Sequence, residues 1–350
     1  MANYVTELPL HGGKAPKWLF YRMVKLSNAI AEIAIDEYGE DRFISMISNS
    51  NWFQAFACAI GYDWHSSGTT TVTIAALKEA LKDNDKIFIA GGKGKAGTNT
   101  PEEIIKGTDK LSINKADEFI RYSRMAAKID SSLIYDDIGI YHHSFIFSKN
   151  GKWAVIQQAM QAKTNKAIRF QWFSDFIKKE DVANEPHTGI DANMHQQTLD
   201  LTYSTNSWAR EKSVQILQDN EIGHFSYPSR HHIYKADISK HAWKMIKNAS
   251  DLRIDNYNDL LLVKGAGRQV LRSLAIISSL IFDKELAYRD PVAYSYNLGG
   301  KDSIPFKINR LTYDKVTESL YNIIENARIE TKDKYAALKR LNYLVSKKTS

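Results

Sequence analysis

Apolar residues recur every three or four positions through the first third of the chain, and this spacing predicts helices. The clearest run extends from Lys17 to Tyr38, with Pro16 before it and Gly39 at its end. Thr100 precedes a proline and two acids, which predicts a helix start with the Thr100 hydroxyl as its cap. Shorter helices are predicted over residues 42–47, 52–60 and 72–82, and a short strand over 86–92.

The pattern changes in the centre of the chain. Residues 138–147 and 152–157 are rich in β-formers and flank Asn150 and Gly151, which predicts a β-hairpin. Ile168–Phe173 is expected to add a third strand. Residues 180–200 are polar and are predicted to form a long loop. Helical spacing returns from about Trp208, so we expect an α+β fold that is predominantly helical.

Three regions follow from these patterns. We expect a helical N-terminal region (1–130) with polar loops and a β-hairpin region with a long loop (131–205). A helical C-terminal region (206–350) completes the chain. Neither an internal repeat nor a low-complexity linker marks the boundaries.

The C-terminal region contains a glycine hairpin between two apolar runs. Gly265, Ala266 and Gly267 separate residues 260–263 from a run that begins at Arg268 and continues with helical spacing. Residues 255–282 resemble the helix-hairpin-helix motif of DNA-repair glycosylases, nucleases and ligases. In such a hairpin, glycines allow close backbone approach, and free amides at the second helix form an anion site. The resemblance implies phosphate binding by residues 265–268 with Arg272, although an ordinary helical turn explains the same glycines.

Composition adds little to this picture. The net charge of +7 weakly favours a polyanionic partner, and 43% hydrophobic residues indicate a folded protein. Cys58 is the single cysteine and is expected to be buried in the core. Neither a signal peptide nor an apolar run of membrane-spanning length is evident, so we expect a cytoplasmic protein without a membrane partner.

Two polar segments of the N-terminal region are candidate sites. Asp63 and His65 form a carboxylate–imidazole pair of the kind that orients a general base or a metal ligand, or they merely close a loop before a helix. Lys93 and Lys95 lie among glycines and can bind a phosphate, although the Walker A spacing is absent and a solvated loop is equally compatible.

The predicted hairpin strand carries two adjacent histidines, His142 and His143. Neighbouring strand residues point to opposite faces, so at most one of them can reach a given site. Asp130, Asp136 and Asp137 lie upstream, so a divalent metal is possible here. The Glu-x-Lys element of restriction-type nucleases is missing from the second strand.

Three runs of the sequence together resemble one family. They are residues 10–19 with Arg22 and Met23, residues 52–55 with 63–68, and residues 91–95 with 141–143 and 153–158. The chain is identified on these runs as a member of the mostly archaeal domain-of-unknown-function family 763. This resemblance covers nearly the whole chain and implies no particular activity.

The glycosylase resemblance implies a catalytic aspartate roughly twenty residues beyond the hairpin, for which Asp290 is the better candidate and Asp283 the weaker one. Gln269 stands where bifunctional members have lysine, which disfavours a Schiff-base step. We expect a nucleic-acid-binding protein that processes its partner, DNA in the first instance, by base excision or phosphodiester cleavage. The sequence does not decide between DNA and RNA, and it does not fix the oligomeric state. A non-enzymatic DNA-binding protein and a small-molecule phosphate-ester enzyme are the alternatives.

Overall fold

The computed structural model describes residues 17–62, 68–161, 167–192, 196–218, 254–292 and 310–346. The described α-helices are α1 (Lys17–Tyr38), α2 (Glu40–Ile47), α3 (Ser50–Ala59), α4 (Thr69–Ala80), α5 (Lys95–Thr98), α6 (Thr100–Leu111), α7 (Ala116–Ser132), α8 (Ser207–Gln218), α9 (Tyr257–Leu262), α10 (Arg268–Ile281), α11 (Arg310–Asn326) and α12 (Thr331–Ser346). The described strands are β1 (Ile87–Lys93), β2 (Ile138–Ser148), β3 (Trp153–Gln161), β4 (Ala167–Phe173), β5 (His187–Ala192), β6 (Thr198–Leu199) and β7 (Tyr288–Arg289). Short 3₁₀ turns cover Ser174–Phe176 and Ser204–Asn206.

The centre of the fold is an antiparallel sheet in which β1 to β5 lie side by side in chain order. The β2–β3 connection turns at Gly151, which has a φ of 92°, so the predicted hairpin is confirmed. The strand expected over Ile168–Phe173 is confirmed as β4. β6 and β7 form a separate two-stranded ladder. The α+β, mostly helical class is therefore confirmed.

A hydrophobic core lies on each face of the sheet. On one face, α6, α7, α8 and α10 cover side chains such as Phe145 and Trp172. On the other face, α1 to α4 and the terminal helices cover side chains such as Ile146 and Ile156. The first core joins Ile104 to Leu271, so it draws on all three predicted regions. The division into regions stays a prediction.

The helix predictions succeed for the long periodic runs and fail at local capping. α1 spans Lys17–Tyr38 as predicted. Thr100 is the first residue of α6, and its hydroxyl donates to the Gly97 carbonyl oxygen at 2.7 Å. The predicted Thr100 cap is wrong, because the side chain closes the preceding turn.

The long loop predicted over residues 180–200 is wrong. It contains β5, which pairs with β4, and β6. The segment reads as polar because Asp191 points into the protein, where it forms an ion pair with Arg169, and both side chains are buried. A buried charge that pairs with another strand hides the apolar alternation typical of a strand.

Two compositional predictions concern burial. Cys58 lies on α3 and is 4% exposed, so its burial in the core is confirmed. Within the described ranges, no helix has the length and apolar character needed to cross a membrane.

Candidate functional site

The predicted glycine hairpin lies between α9 and α10, and its relation to the helix-hairpin-helix motif stays a prediction. The Asn256 side chain caps α9, because its Oδ1 accepts a hydrogen bond from the Asp259 amide at 3.0 Å. Gly265 has a φ of 93°, a conformation that favours glycine. Gly267 occupies the N-cap position before α10 and provides no side-chain cap. The amides of Ala266 and Gly267 donate within the turn, to the carbonyl oxygens of Val263 and Gly265. A helix start without a side-chain cap can present its first amides to an anion.

The two hairpin arginines contact the protein's own backbone. Arg268 donates to the carbonyl oxygen of Ser131 through Nε at 2.9 Å and Nη2 at 2.6 Å. It also donates to the carbonyls of Asp136 and Ile138. Arg272 forms a 2.6 Å ion pair with Asp136 and donates to the Leu199 carbonyl at 2.9 Å. Both arginines therefore fasten α10 to the segment between α7 and β2.

A basic face of α7 lies beside the hairpin, and the sequence reasoning missed it. Arg121, Arg124 and Lys128 follow the three- and four-residue steps of one helix face. Arg121 pairs with Asp259 of α9 at 3.5 Å, and Lys128 Nζ donates to the Ala266 carbonyl at 3.1 Å. The spacing of the three residues was readable, but their position beside the hairpin depends on tertiary packing.

Arg121, Arg124 and Lys264 are exposed, whereas Lys128 is half-buried. Burial lowers the pKa of Lys128, since desolvation disfavours the charged ammonium. We call Arg121, Arg124, Lys128 and Lys264, with the amides that begin α10, the hairpin surface. It combines several cations with backbone donors, the two kinds of group that bind phosphate in proteins.

Asp290 follows β7, and its Oδ1 accepts the Val292 amide at 3.0 Å. Its charge, after desolvation, helps to raise the pKa of the Tyr135 phenol. The Tyr135 hydroxyl is buried without a hydrogen-bond partner among the described residues. Tyr135 belongs to the segment between α7 and β2 on which Arg268 and Arg272 dock. Val292 packs in the same hydrophobic cluster as Tyr135, so the Asp290 segment lies close to the segment that supports the hairpin.

His143 belongs to a buried chain of hydrogen bonds under α7. Its Nδ1 lies 2.8 Å from Gln157 Oε1, and its Nε2 lies 2.7 Å from Ser123 Oγ. Gln157 Oε1 can only accept, so Nδ1 carries the proton, and Ser123 donates to Nε2. Burial lowers the pKa of His143 to about 4, so the ring is neutral near pH 7.

The chain of hydrogen bonds continues from Gln157 to the buried carboxyl group of Asp130. Gln157 Nε2 donates to Asp130 Oδ2 at 2.5 Å, and Trp172 Nε1 donates to the same oxygen at 3.0 Å. His187 Nε2 lies 2.6 Å from Asp130 Oδ1. Burial raises the pKa of Asp130, and these partners oppose that shift. Hydrogen bonds therefore link the Ser123 hydroxyl, the His143 ring and the Asp130 carboxyl group. Ser123 is only 3% exposed, so we interpret this hydrogen-bond network as part of the protein interior.

His142 lies on the opposite face of the sheet from His143, as strand geometry predicts. It stands in a cross-strand row with Gln158, Arg169 and Asp191. Burial, with repulsion from nearby charges, lowers the pKa of His142 to about 3. Neither of its ring nitrogens has a hydrogen-bond partner among the described residues. The two predicted histidines are therefore separated by the sheet, and each is neutral.

The glycine segment at residues 91–95 is packed against the protein. The Gly91 amide donates to Glu103 Oε2 at 2.8 Å, and Lys78 Nζ donates to the Gly91 carbonyl at 2.8 Å. Lys93 and Lys95 are exposed, and Lys93 lies over the Tyr141 ring at 6.0 Å. The segment offers two exposed cations beside a hydrogen-bonded backbone, which differs from a flexible phosphate-cradling loop.

Asp63 and His65, the other predicted catalytic pair, lie outside the described residues. Within the ranges that are described, no three His, Cys, Asp or Glu side chains come together as a group able to hold a metal ion. The structure therefore brings the hairpin, α7 and the Asp290 segment together. His143 is buried beneath α7, and His142 lies on the opposite face of the sheet.

These features define a class of protein: an α+β fold with a five-stranded antiparallel sheet between two helical layers and a basic hairpin surface on one of them. The chain belongs to the family described as "Protein of unknown function (DUF763)", whose model matches residues 4–308. Comparison with curated proteins and with solved structures finds no match.

Proposed function

We propose that the protein binds the phosphate backbone of a nucleic acid, DNA in the first instance, through the hairpin surface. The observation that carries the proposal is the position of the α7 cations beside the uncapped start of α10. Backbone amides fix the position of a phosphate, and flanking cations add affinity that does not depend on base sequence.

Arg268 and Arg272 have a different part in this proposal from the one that the sequence implied. Their guanidinium groups donate to carbonyls of the α7–β2 segment and so hold α10 in place. The groups left for the nucleic acid are Arg124, Lys264 and the α10 amides. Arg121 and Lys128 contribute charge while they brace α9 and the turn.

We further propose that the bound nucleic acid is processed, by base excision or phosphodiester cleavage, with Asp290 as the group that stabilises a sugar cation or activates water. Val292, two residues after Asp290, packs with Tyr135 of the α7–β2 segment, and this position supports the assignment. Asp290→Asn should then abolish turnover on duplex substrates screened with and without Mg²⁺, and it should leave binding unchanged. The cytoplasmic location and the archaeal distribution of the family stay predictions.

The binding proposal is tested by reversing Arg124 and Lys264, the two exposed cations that do not brace α9 or the turn. Arg124→Glu/Lys264→Glu should weaken binding to a labelled duplex by on the order of tenfold or more in an anisotropy titration. The matched control is Lys106→Glu/Lys332→Glu, because these exposed lysines on α6 and α12 change the net charge equally. Equal weakening in both variants would overturn the hairpin surface and leave only general electrostatic attraction.

The two alternatives predict other results. A non-enzymatic DNA-binding protein would show the same binding and no loss of any function in Asp290→Asn. An enzyme acting on small phosphate esters would show no salt-sensitive duplex affinity in the wild-type protein.

A further inference from the structure

The outer face of α1 carries two large exposed aromatic side chains. Trp18 is 63% exposed and Tyr21 is 62% exposed. Lys17, Arg22 and Lys25 are also exposed and share this face. The opposite face of α1, including Met23, Leu26 and Ile30, packs into the core. We call Lys17, Trp18, Tyr21, Arg22 and Lys25 the α1 stripe, which is exposed although α1 is well packed.

The cations of the α1 stripe lie next to its rings. The Arg22 guanidinium carbon is 5.6 Å from the centre of the Trp18 ring, and Lys25 Nζ is 5.0 Å from the centre of the Tyr21 ring. Within the described part of the chain, no carboxylate lies within ion-pair distance of these two cations. Aromatic surface and unneutralised positive charge therefore occur together at helical spacing.

The charges of α1 oppose the helix dipole. No acidic residue occupies the first turn, where Lys17 lies, and no basic residue occupies the last turn, where Asp36 and Glu37 lie. A helix dipole favours the reverse arrangement. The helix dipole does not stabilise the basic start of α1, whose charge an external anion can neutralise.

The chemistry of the stripe selects among anionic partners. An aromatic face stacks on a nucleobase, and neighbouring cations neutralise the adjacent phosphates. Bases in a duplex are stacked on each other, so only unpaired bases can lie on Trp18 and Tyr21. An anionic membrane would lie along the whole exposed face of α1 and would be repelled by the exposed acids Glu32, Asp36 and Glu37.

We propose that the α1 stripe binds a single-stranded nucleic-acid segment, with unpaired bases stacked on Trp18 and Tyr21 and phosphates held by Lys17, Arg22 and Lys25. α1 packs on the sheet face opposite to the one that carries α7 and α10. The stripe is therefore a second site, separate from the hairpin surface, and it does not depend on the proposed function.

The test uses the full chain with a labelled oligo(dT) strand and with a blunt duplex. Trp18→Ala/Tyr21→Ala should weaken oligo(dT) binding by roughly tenfold to a hundredfold and leave duplex binding unchanged. Phe176→Ala/Tyr335→Ala is the matched control, since it removes two other exposed aromatics, which are 61% and 71% exposed. Trp18→Phe should keep affinity and lose the tryptophan fluorescence quenching that stacking produces.

Three results would overturn the proposal. The first is oligo(dT) affinity that is unchanged in the double variant, and the second is an equal loss in the control. The third is wild-type binding to phosphatidylserine vesicles that is lost in the double variant while oligo(dT) binding is absent. Loss of duplex binding in Arg124→Glu/Lys264→Glu with oligo(dT) binding retained would show that the two sites fail independently.

Discussion

Arg268 donates two hydrogen bonds to the carbonyl oxygen of Ser131, from Nε at 2.9 Å and from Nη2 at 2.6 Å. The two residues are 137 positions apart in the sequence. This contact ties the start of α10 to the end of α7. It places the hairpin turn beside the basic face of α7, so the geometry of the hairpin surface depends on it.

Loss of this contact should reduce stability. Arg268→Ala removes donors from several carbonyls at once, and hydrogen bonds from charged donors are worth about 1.5–3 kcal/mol. We expect the free energy of unfolding to fall by about 2–3 kcal/mol in a denaturant titration. Lys264→Ala, which truncates an exposed side chain one turn away, should change it by less than about 0.5 kcal/mol. Equal stability of the two variants would show that Arg268 is free to serve a ligand.

Gly91 is expected to be intolerant of any side chain. A Cβ at this position would lie 2.3 Å from the His143 carbonyl oxygen and 2.5 Å from Thr100 Oγ1, and its φ is +87°. Gly91→Ala should therefore lower the melting temperature strongly, with a loss of more than about 2 kcal/mol. Gly139→Ala, in β2 and with no atom within 4 Å of the added methyl, should be nearly neutral. If Gly91→Ala were as stable as Gly139→Ala, the segment would be the loose phosphate loop that the sequence allowed.

His142 should make the protein sensitive to acid. Its pKa is about 3 in the folded protein and near 6.5 when unfolded, so only the unfolded chain takes up the proton as the pH falls from 6.5. Stability from this group is complete above pH 6.5 and declines by about 1.4 kcal/mol per pH unit between pH 6 and 4.

Comparison with His142→Leu isolates that contribution, because the other buried groups, such as Asp130 and Asp191, are common to both proteins. At pH 7 the variant should be as stable as the wild type or more so, since it removes two buried nitrogens that lack partners. Below pH 6 the free energy of unfolding of the variant should fall less steeply with falling pH than that of the wild type. The difference in slope should correspond to the uptake of one proton. Parallel curves for the two proteins would mean that the His142 ring is hydrogen-bonded or hydrated.

The fold was predictable where local pattern decides structure. α1 and the β2–β3 hairpin follow from helical spacing and from Asn150-Gly151, signals that lie within a few residues. β5 was missed because the partner of Asp191 is Arg169 on another strand, a contact between separate segments. Sequence spacing cannot show whether a buried charge is paired across a sheet.

The candidate site was predictable in part, for the same reason. Gly265 identifies the turn, because its positive φ favours glycine. Gly267 has a φ of -84°, and a Cβ added there would meet only the Gly265 carbonyl oxygen, at 4.0 Å, so the structure does not require glycine at that position. Whether Arg268 meets a phosphate or the Ser131 carbonyl is decided by packing between α10 and the α7–β2 segment. The α7 cations carried a readable spacing, but nothing in the sequence places Lys128 against Ala266.

The central claim is that a nucleic-acid backbone is held at the hairpin surface. The most direct measurement is the salt dependence of duplex affinity for the wild type and for Arg124→Ala/Lys264→Ala. If each cation neutralises one phosphate, the slope of log affinity against log salt should be smaller by about 2 in the variant. An unchanged slope, or no salt-dependent duplex binding by the wild type, would contradict the account.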